Sequence, residues 1–280
     1  MALLPFILHG FYMTAAGAAP VKTARWLSVW TMSVLSLVSH KEFRFIQPLL
    51  PILHAFAAYS LVQLANLSRS KTRRSSLLPS IRADHFHLIL FINIPAILVF
   101  IVIHMRGQAG VVRYLSSIPK TELASLGFLM PCHSTPWQSH LHRYDLEVEG
   151  IPSGYGGRLW ALTCEPPLGD DRASYIDETN LFYKDPHAFI REHFPSHVSE
   201  SFPASPDLSD PEQAHVYCWP SHLVLFDVLL QCQCETTHQT FNQLLLEKGY
   251  VEQKRFWNSI WHEDPRRAGD VVVMRHINAA

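Results

Sequence analysis

The chain has 280 residues, 48% of them hydrophobic and only 17% charged, with a formal net charge of -1. That apolar content excludes a disordered chain, and the charge is low against the roughly 25% usual in soluble domains. The near-zero balance leaves no basic stripe once the clusters flanking the apolar runs are set aside, which removes the electrostatic case for nucleic-acid binding.

The apolar runs lie before Met105, whereas residues 106–280 hold nearly all the acidic residues. The expected fold is an α-helical multi-span membrane protein with about four transmembrane helices, followed by a small lumenal α/β domain. The division predicted is 1–105 for the membrane part and 106–280 for the domain. A spanning helix needs about 20 mostly apolar residues, and four segments are expected to meet this: 1–21, 24–39, 45–66 and 86–104. The first reads as a membrane helix rather than a cleaved leader, because no Lys or Arg precedes its apolar stretch. Pro48, Pro51 and Pro95 lie within the later runs and imply a packed bundle that satisfies the freed carbonyl groups.

Basic residues set the expected orientation. Lys22 and Arg25 follow the first run, and Arg69, Lys71, Arg73, Arg74 and Arg82 follow the third, so both loops are predicted to be cytosolic. The loop His40–Arg44 and everything after His104 then face the opposite side, expected to be the lumen of the endoplasmic reticulum. Asn66-Leu67-Ser68, a formal glycosylation sequon, falls on the cytosolic side and should stay unmodified.

In the second half, Val111–Ile118 is expected to be a helix, and Ser125–Pro131, Arg158–Cys164, His222–Leu230 and Asp270–His276 strands; Thr237–Lys248 has helical spacing. The Pro-, Ser- and acid-rich segment 195–214 reads as a mobile insert. Five cysteines, Cys132, Cys164, Cys218, Cys232 and Cys234, all lie on the side expected to be oxidising. Disulfides are expected there. Cys132 with Cys164 is the first pairing to expect, since each ends a predicted strand, although spacing alone does not fix the pairing. A zinc reading of Cys132, His133, His140 and His142, or of Cys232 and Cys234, lacks C-x-x-C spacing and a second half, so no metal is expected.

Ser39–Phe45, SHKEFRF, places His40, Lys41, Glu42 and Arg44 in five positions where two uncharged runs meet water. One reading is an interfacial anchor, with basic side chains and Phe43 and Phe45 setting helix depth. The other is an anion site, in which Lys41 and Arg44 hold a lipid phosphate and Glu42 orients one of them. A second candidate is the turn Cys132–Pro136, where His133, Ser134 and Thr135 can meet a sugar or phosphate, or can simply close a turn beside Pro136. Trp137 beside it suits packing as well as it suits sugar stacking.

HKEFRF followed by the PLLP run, Pro48–Pro51, resembles the signature loop of the endoplasmic-reticulum mannosyltransferases that use dolichyl-phosphate mannose, glycosyltransferase family 22. Phe128–His142, Leu162–Leu168 and Tyr175–Pro186 resemble the lumenal region of members that build the glycosylphosphatidylinositol (GPI) anchor, in the same order. The resemblance implies transfer of an α-1,2-linked third mannose from dolichyl-phosphate mannose to the GPI precursor, in the endoplasmic-reticulum membrane, among membrane lipids and without a cofactor. It makes His40, Lys41, Glu42 and Arg44 the expected donor or acceptor contacts, with His133, Ser134 and Thr135 as weaker acceptor contacts. An N-glycan lipid-precursor α-1,2-mannosyltransferase is the alternative within the family.

The resemblance also implies an acidic first lumenal loop carrying the catalytic carboxylates, for which these residues hold no counterpart. No catalytic residue is therefore identified, since the acceptor hydroxyl needs a carboxylate within hydrogen-bond reach. Glu42, flanked by Lys41 and Arg44, is a poor substitute. A non-catalytic fragment or subunit is the further alternative that follows from this departure.

Overall fold

The structure, a computed structural model, describes residues 3–38, 43–71, 83–151, 154–164, 175–206, 217–234 and 237–279. The chain divides into two compact units, 1–99 and 100–280.

The first unit is helical. The expected run 1–21 is not one helix: α1 covers only Leu4–Met13, and α2 begins at Ala19 and runs to Leu37. At about 1.5 Å per residue, ten residues span roughly half of the hydrocarbon layer. The turn between the helices has Thr14 bonded back to the Gly10 carbonyl, and Pro20 at the start of α2 supplies a fixed φ suited to a first turn. A 3₁₀ helix, Phe43–Leu49, containing Pro48, leads into α3, Leu50–Lys71. Helix α1 packs on α3, where a side chain at Gly10 would collide with the Phe56 backbone; Phe11 and Phe56 rings sit 4.4 Å apart, and His9 bonds Ser60 at 2.8 Å. Close approach at a small residue is how membrane helices associate without a hydrophobic driving force. Helix α4, Ala83–Leu98, holds Pro95, and a π-helical segment, Val99–Ile103, follows it. A missing proline N–H and the i→i+5 pattern are paired departures from a regular helix. Two described helical segments are long and apolar enough to cross a membrane, Phe45–Leu67 and His87–Ser117.

In the second unit, α5, Arg106–Ser117, extends the expected helix by more than a turn at its N-terminus. The strands are β1, Leu126–Leu129; β2, Leu159–Ala161; β3, His222–Phe226; β4, Tyr250–Phe256; and β5, Val271–His276. They form one mixed sheet in the order β2-β1-β3-β5-β4: β1 is parallel to both β2 and β3, while β5 is antiparallel to β3 and β4.

Both faces of the sheet are covered, which explains why HLVLF at β3 reads as a continuous apolar run. Leu223 and Leu225 point to one side, with Val272 and Met274 of β5; Val224 and Phe226 point to the other, with Val271 and Val273. On the first side lie α7, Glu178–Lys184, α8, Pro186–His193, and α10, Phe241–Glu247, contributing Phe182, Phe189, Phe241 and Leu245. The second side receives Val111, Val112 and Leu115 of α5. Each such buried Val, Leu or Phe contributes about 1.5–3 kcal/mol. Gly127 in β1 is required by Trp160 of β2, whose indole occupies the space a side chain there would take.

Local signals set the helix ends. Asp177 and Asp185 accept from the Asn180 and Ala188 amides at 2.7 and 2.9 Å, capping α7 and α8, and Thr240 with Gln243 forms a capping box on α10. The expected strand His222–Leu230 is cut at Phe226: the Asp227 amide bonds the Asp270 carbonyl, and a short helix, α9, Asp227–Leu230, begins. Short helix α6, Trp137–His140, follows β1. Of the insert 195–214, the described part up to Pro206 is tied to the domain. Phe202 is buried, Ser205 pairs with Gly157 through both backbone bonds, and Trp219 donates to the Pro195 carbonyl. Residues 207–216 lie outside the described ones.

Candidate functional site

Of the loop candidates, His40, Lys41 and Glu42 lie outside the described residues. Arg44 is the second residue of the 3₁₀ helix Phe43–Leu49, of which the backbone is described.

The second candidate is a built cleft. Strands β1 and β2 run parallel, so their carboxyl ends open on the same edge of the sheet, the place where open α/β sheets receive ligands. Cys132 follows β1 and Cys164 follows β2, and the two are joined by a disulfide with Cα atoms 6.1 Å apart. The expected pairing is the one formed. It staples the two strand ends and makes one wall of a cavity of about 150 Å³. Within the turn Cys132–Pro136, His133 takes a left-handed conformation, φ 58°, and leaves its ring exposed with Nε2 3.8 Å from the Cys164 sulfur. A non-glycine residue held there costs on the order of 1–3 kcal/mol, and the disulfide and Pro131 fix its neighbours.

The three turn candidates differ in what they offer. His133 and Thr135 line the cavity with polar side chains. Ser134 is 4% exposed, and its hydroxyl donates to the Pro131 carbonyl, so it closes the turn. Trp137 forms the apolar wall, stacked on Phe128 with centroids 5.8 Å apart and planes 18° apart. Gly154 lies opposite, at φ 102°, and a side chain there would meet the Trp137 ring. Sequence reasoning missed Gly154 and Thr163 in this lining; the cluster Gly150, Gly154, Gly156 and Gly157, all at positive φ, was the signal.

Behind the cleft, Glu178 is consumed by structure. Its Oε2 accepts from the Thr163 amide at 2.7 Å and hydroxyl at 2.9 Å, and its Oε1 accepts from the Tyr217 hydroxyl at 2.9 Å. Burial first, and the neighbouring Glu178 second, push the Tyr217 phenol well above its usual pKa, so it remains a donor. Arg267 donates to the Cys132 carbonyl at 2.9 Å, fixing the turn from the far side. Other carboxylates are likewise engaged: Asp145 by Arg143, Asp264 by Arg266, both held below the usual carboxylate range by that hydrogen bond. Among the described residues no carboxylate lines the cleft. The arrangement suits hydrogen bonding to hydroxyl groups against an aromatic wall, and among the described residues supplies no carboxylate base. Among the described residues no group of three His, Cys, Asp or Glu side chains is placed to hold a metal ion.

Residues 1–142 match the Alg9-like mannosyltransferase family. The chain is 34% identical to the GPI mannosyltransferase 3 of Eremothecium gossypii over 96% of its own length and 43% of the relative's. It is 38% identical to the protein of the same name from Yarrowia lipolytica, over 96% and 45%, and 35% identical to that of Saccharomyces cerevisiae, over 86% and 35%. It thus spans less than half the length of these relatives. No solved structure matches it. The match covers the apolar helices and continues through β1, the CHSTP turn and α6, so the expectation drawn from HKEFRF and PLLP holds at the level of the family: the chain belongs to the Alg9-like mannosyltransferase family.

Proposed function

We propose that this chain serves the GPI-anchor pathway of the endoplasmic reticulum as a mannosyltransferase, adding the α-1,2-linked third mannose from dolichyl-phosphate mannose to the GPI precursor. The observation that carries this reading is that relatives bearing the name GPI mannosyltransferase 3 align with nearly the whole chain, the 100–280 unit included. In the transfer, the acceptor 2-hydroxyl attacks the anomeric carbon, the bond from that carbon to the phosphate oxygen breaks, and dolichyl phosphate departs. A carboxylate must take the hydroxyl proton. This chain's part is binding: Lys41 and Arg44 hold the lipid phosphate, with His40 and Glu42 in support, while His133 and Thr135 contact sugar hydroxyls and Ser134 shapes their turn.

The topology that fits has α2, α3 and α4 crossing the membrane within 1–105, α1 entering it only part-way, and 106–280 in the lumen. Two helices of sufficient length and apolarity support a membrane placement, and a disulfide in the second unit supports an oxidising compartment. The test is expression of this chain in cells lacking the third GPI mannosyltransferase, with mannose-labelled microsomes and precursors separated by mannose number. A three-mannose product supports the reading. Persistence of the two-mannose precursor, with the chain stable and inserted, overturns it for this polypeptide.

A further inference from the structure

A second, larger cavity lies in the 100–280 unit, away from the CHSTP turn. It is a groove of about 1180 Å³ between α5 and β4. Its lining changes character along its length. One end is apolar: Ile101 and Val102 line it and are 76% and 47% exposed. Beyond Met105 the lining becomes cationic, with Arg106 and Arg113 from α5 and Lys254 from β4.

Among the described residues these charges are not neutralised: neither Arg106, Arg113 nor Lys254 has a carboxylate partner. Glu252 of β4 and Asp227 are both taken by Arg255, at 2.7 Å each. Glu122, close to Tyr114, does not line the groove. Lys254 is positioned by aromatic faces, its Nζ 4.3 Å from the Tyr114 centroid and 5.5 Å from that of Phe256.

The groove is also fixed in shape. Gly107 lets α5 approach so closely that a side chain there would press on the Phe256 and Trp257 carbonyls, and the Arg106 amide bonds the Asn258 carbonyl at 3.0 Å. Next to it, His104 stacks on Trp261 at 4.5 Å and bonds Ser259 at 2.9 Å, which holds the segment carrying Trp257, Ile260 and Trp261, 48%, 69% and 41% exposed. Exposed Trp beside an apolar helix end is the pattern of a membrane–water boundary. A groove that is apolar on one side of that boundary and cationic on the other matches one ligand chemistry: an alkyl chain joined to an anionic phosphate.

We propose that the groove between α5 and β4 binds the phosphate of an anionic membrane lipid, with Arg106, Arg113 and Lys254 on the phosphate and Ile101 and Val102 along the first part of its chain. The assignment goes beyond mannosyl transfer and stands on the groove alone.

The test uses the full chain in neutral detergent, titrated calorimetrically with dihexanoyl phosphatidate, dihexanoyl phosphatidylcholine and inorganic phosphate. The anionic lipid should bind at least about tenfold more tightly than either of the others, and the triple variant Arg106→Gln, Arg113→Gln, Lys254→Gln should lose roughly a hundredfold, at about fivefold per cation. Arg106→Lys with Arg113→Lys should keep most of the affinity. Arg113→Gln alone, on an exposed helix position, should lose about fivefold and serves if the triple variant does not fold. Equal binding of phosphatidate and phosphatidylcholine overturns the proposal. So does unchanged affinity in a folded variant, and so does inorganic phosphate binding as tightly as the lipid, which would make the groove an ion site.

Discussion

Glu178 at the start of α7 and Tyr217 ahead of β3 face each other across the buried side of the sheet, the carboxylate accepting the phenol hydroxyl at 2.9 Å. Since Glu178 also holds Thr163, just after β2, this pair ties the edge of the cleft to the hydrophobic core.

Tyr217→Phe keeps the ring packing on Trp160 and Phe194 but leaves one carboxylate oxygen short of a donor in a half-buried place. A loss of about 1–3 kcal/mol is expected, read as a lower denaturant midpoint of the full chain in detergent with an unchanged slope. A midpoint equal to wild type would show that water replaces the phenol.

Cleaving the Cys132–Cys164 disulfide frees strand ends separated by 32 residues. Cys132→Ser with Cys164→Ser should lower stability by roughly 3–4 kcal/mol on the loop-entropy relation. Proteolysis should then appear first in the CHSTP turn, because the constraint on His133 is lost. Cleavage no faster than in wild type would show that Pro131, Ser134 and Arg267 hold the turn without the bond.

His222 in β3 has its pKa pushed down to about 4, by burial first and then by the positive charges of Arg275 and Arg143. Gln253 opposes the shift, although its Oε1 and the ring Nε2 are not in hydrogen-bond geometry. The folded ring therefore stays neutral where the unfolded one, near 6.5, takes up a proton. Stability is full above pH 6.5 and falls as pH drops towards 4, by up to about 3 kcal/mol from this group. His262 and His276, also lowered by burial, act in the same direction. His222→Gln should make the fall between pH 7 and 4.5 visibly shallower in urea unfolding; an unchanged slope would assign it elsewhere.

Lys41→Ala or Arg44→Ala, made at the matching positions of a full-length relative, is expected to abolish mannose transfer while expression and insertion persist. Normal transfer by both variants would reduce the loop to an interfacial anchor.

The sequence made β1, β2, β3 and β5 legible and the edge strand β4 invisible, for a physical reason. Strand β3 is buried on both faces, so LVLF stands out against any background. Strand β4, YVEQKRF, is an edge strand with Glu252, Lys254 and Arg255 facing solvent, and its register shifts between Glu252 and Lys254. Charges on an exposed edge guard against unwanted pairing, and the irregular register erases the period-two signal. Hydropathy carried the first expected run past the end of α1 to the start of α2 because it averages over a turn whose residues, TAAG, are small and apolar enough to pass for helix. The disulfide could be expected because both cysteines directly follow strands. The lining of the groove could not, because Arg106, Arg113 and Lys254 meet only after β4 folds against α5, nearly 150 positions along the chain.

Strand β5 lies between β3 and β4 although it is the last strand in chain order. Until residue 276 has left the ribosome, β3 has an open flank of unpaired amides and carbonyls and β4 has no neighbour at all. The newly made sheet is then a template for pairing with other chains, and the interval between emergence of β3 and arrival of β5 is the period in which this domain most needs a chaperone.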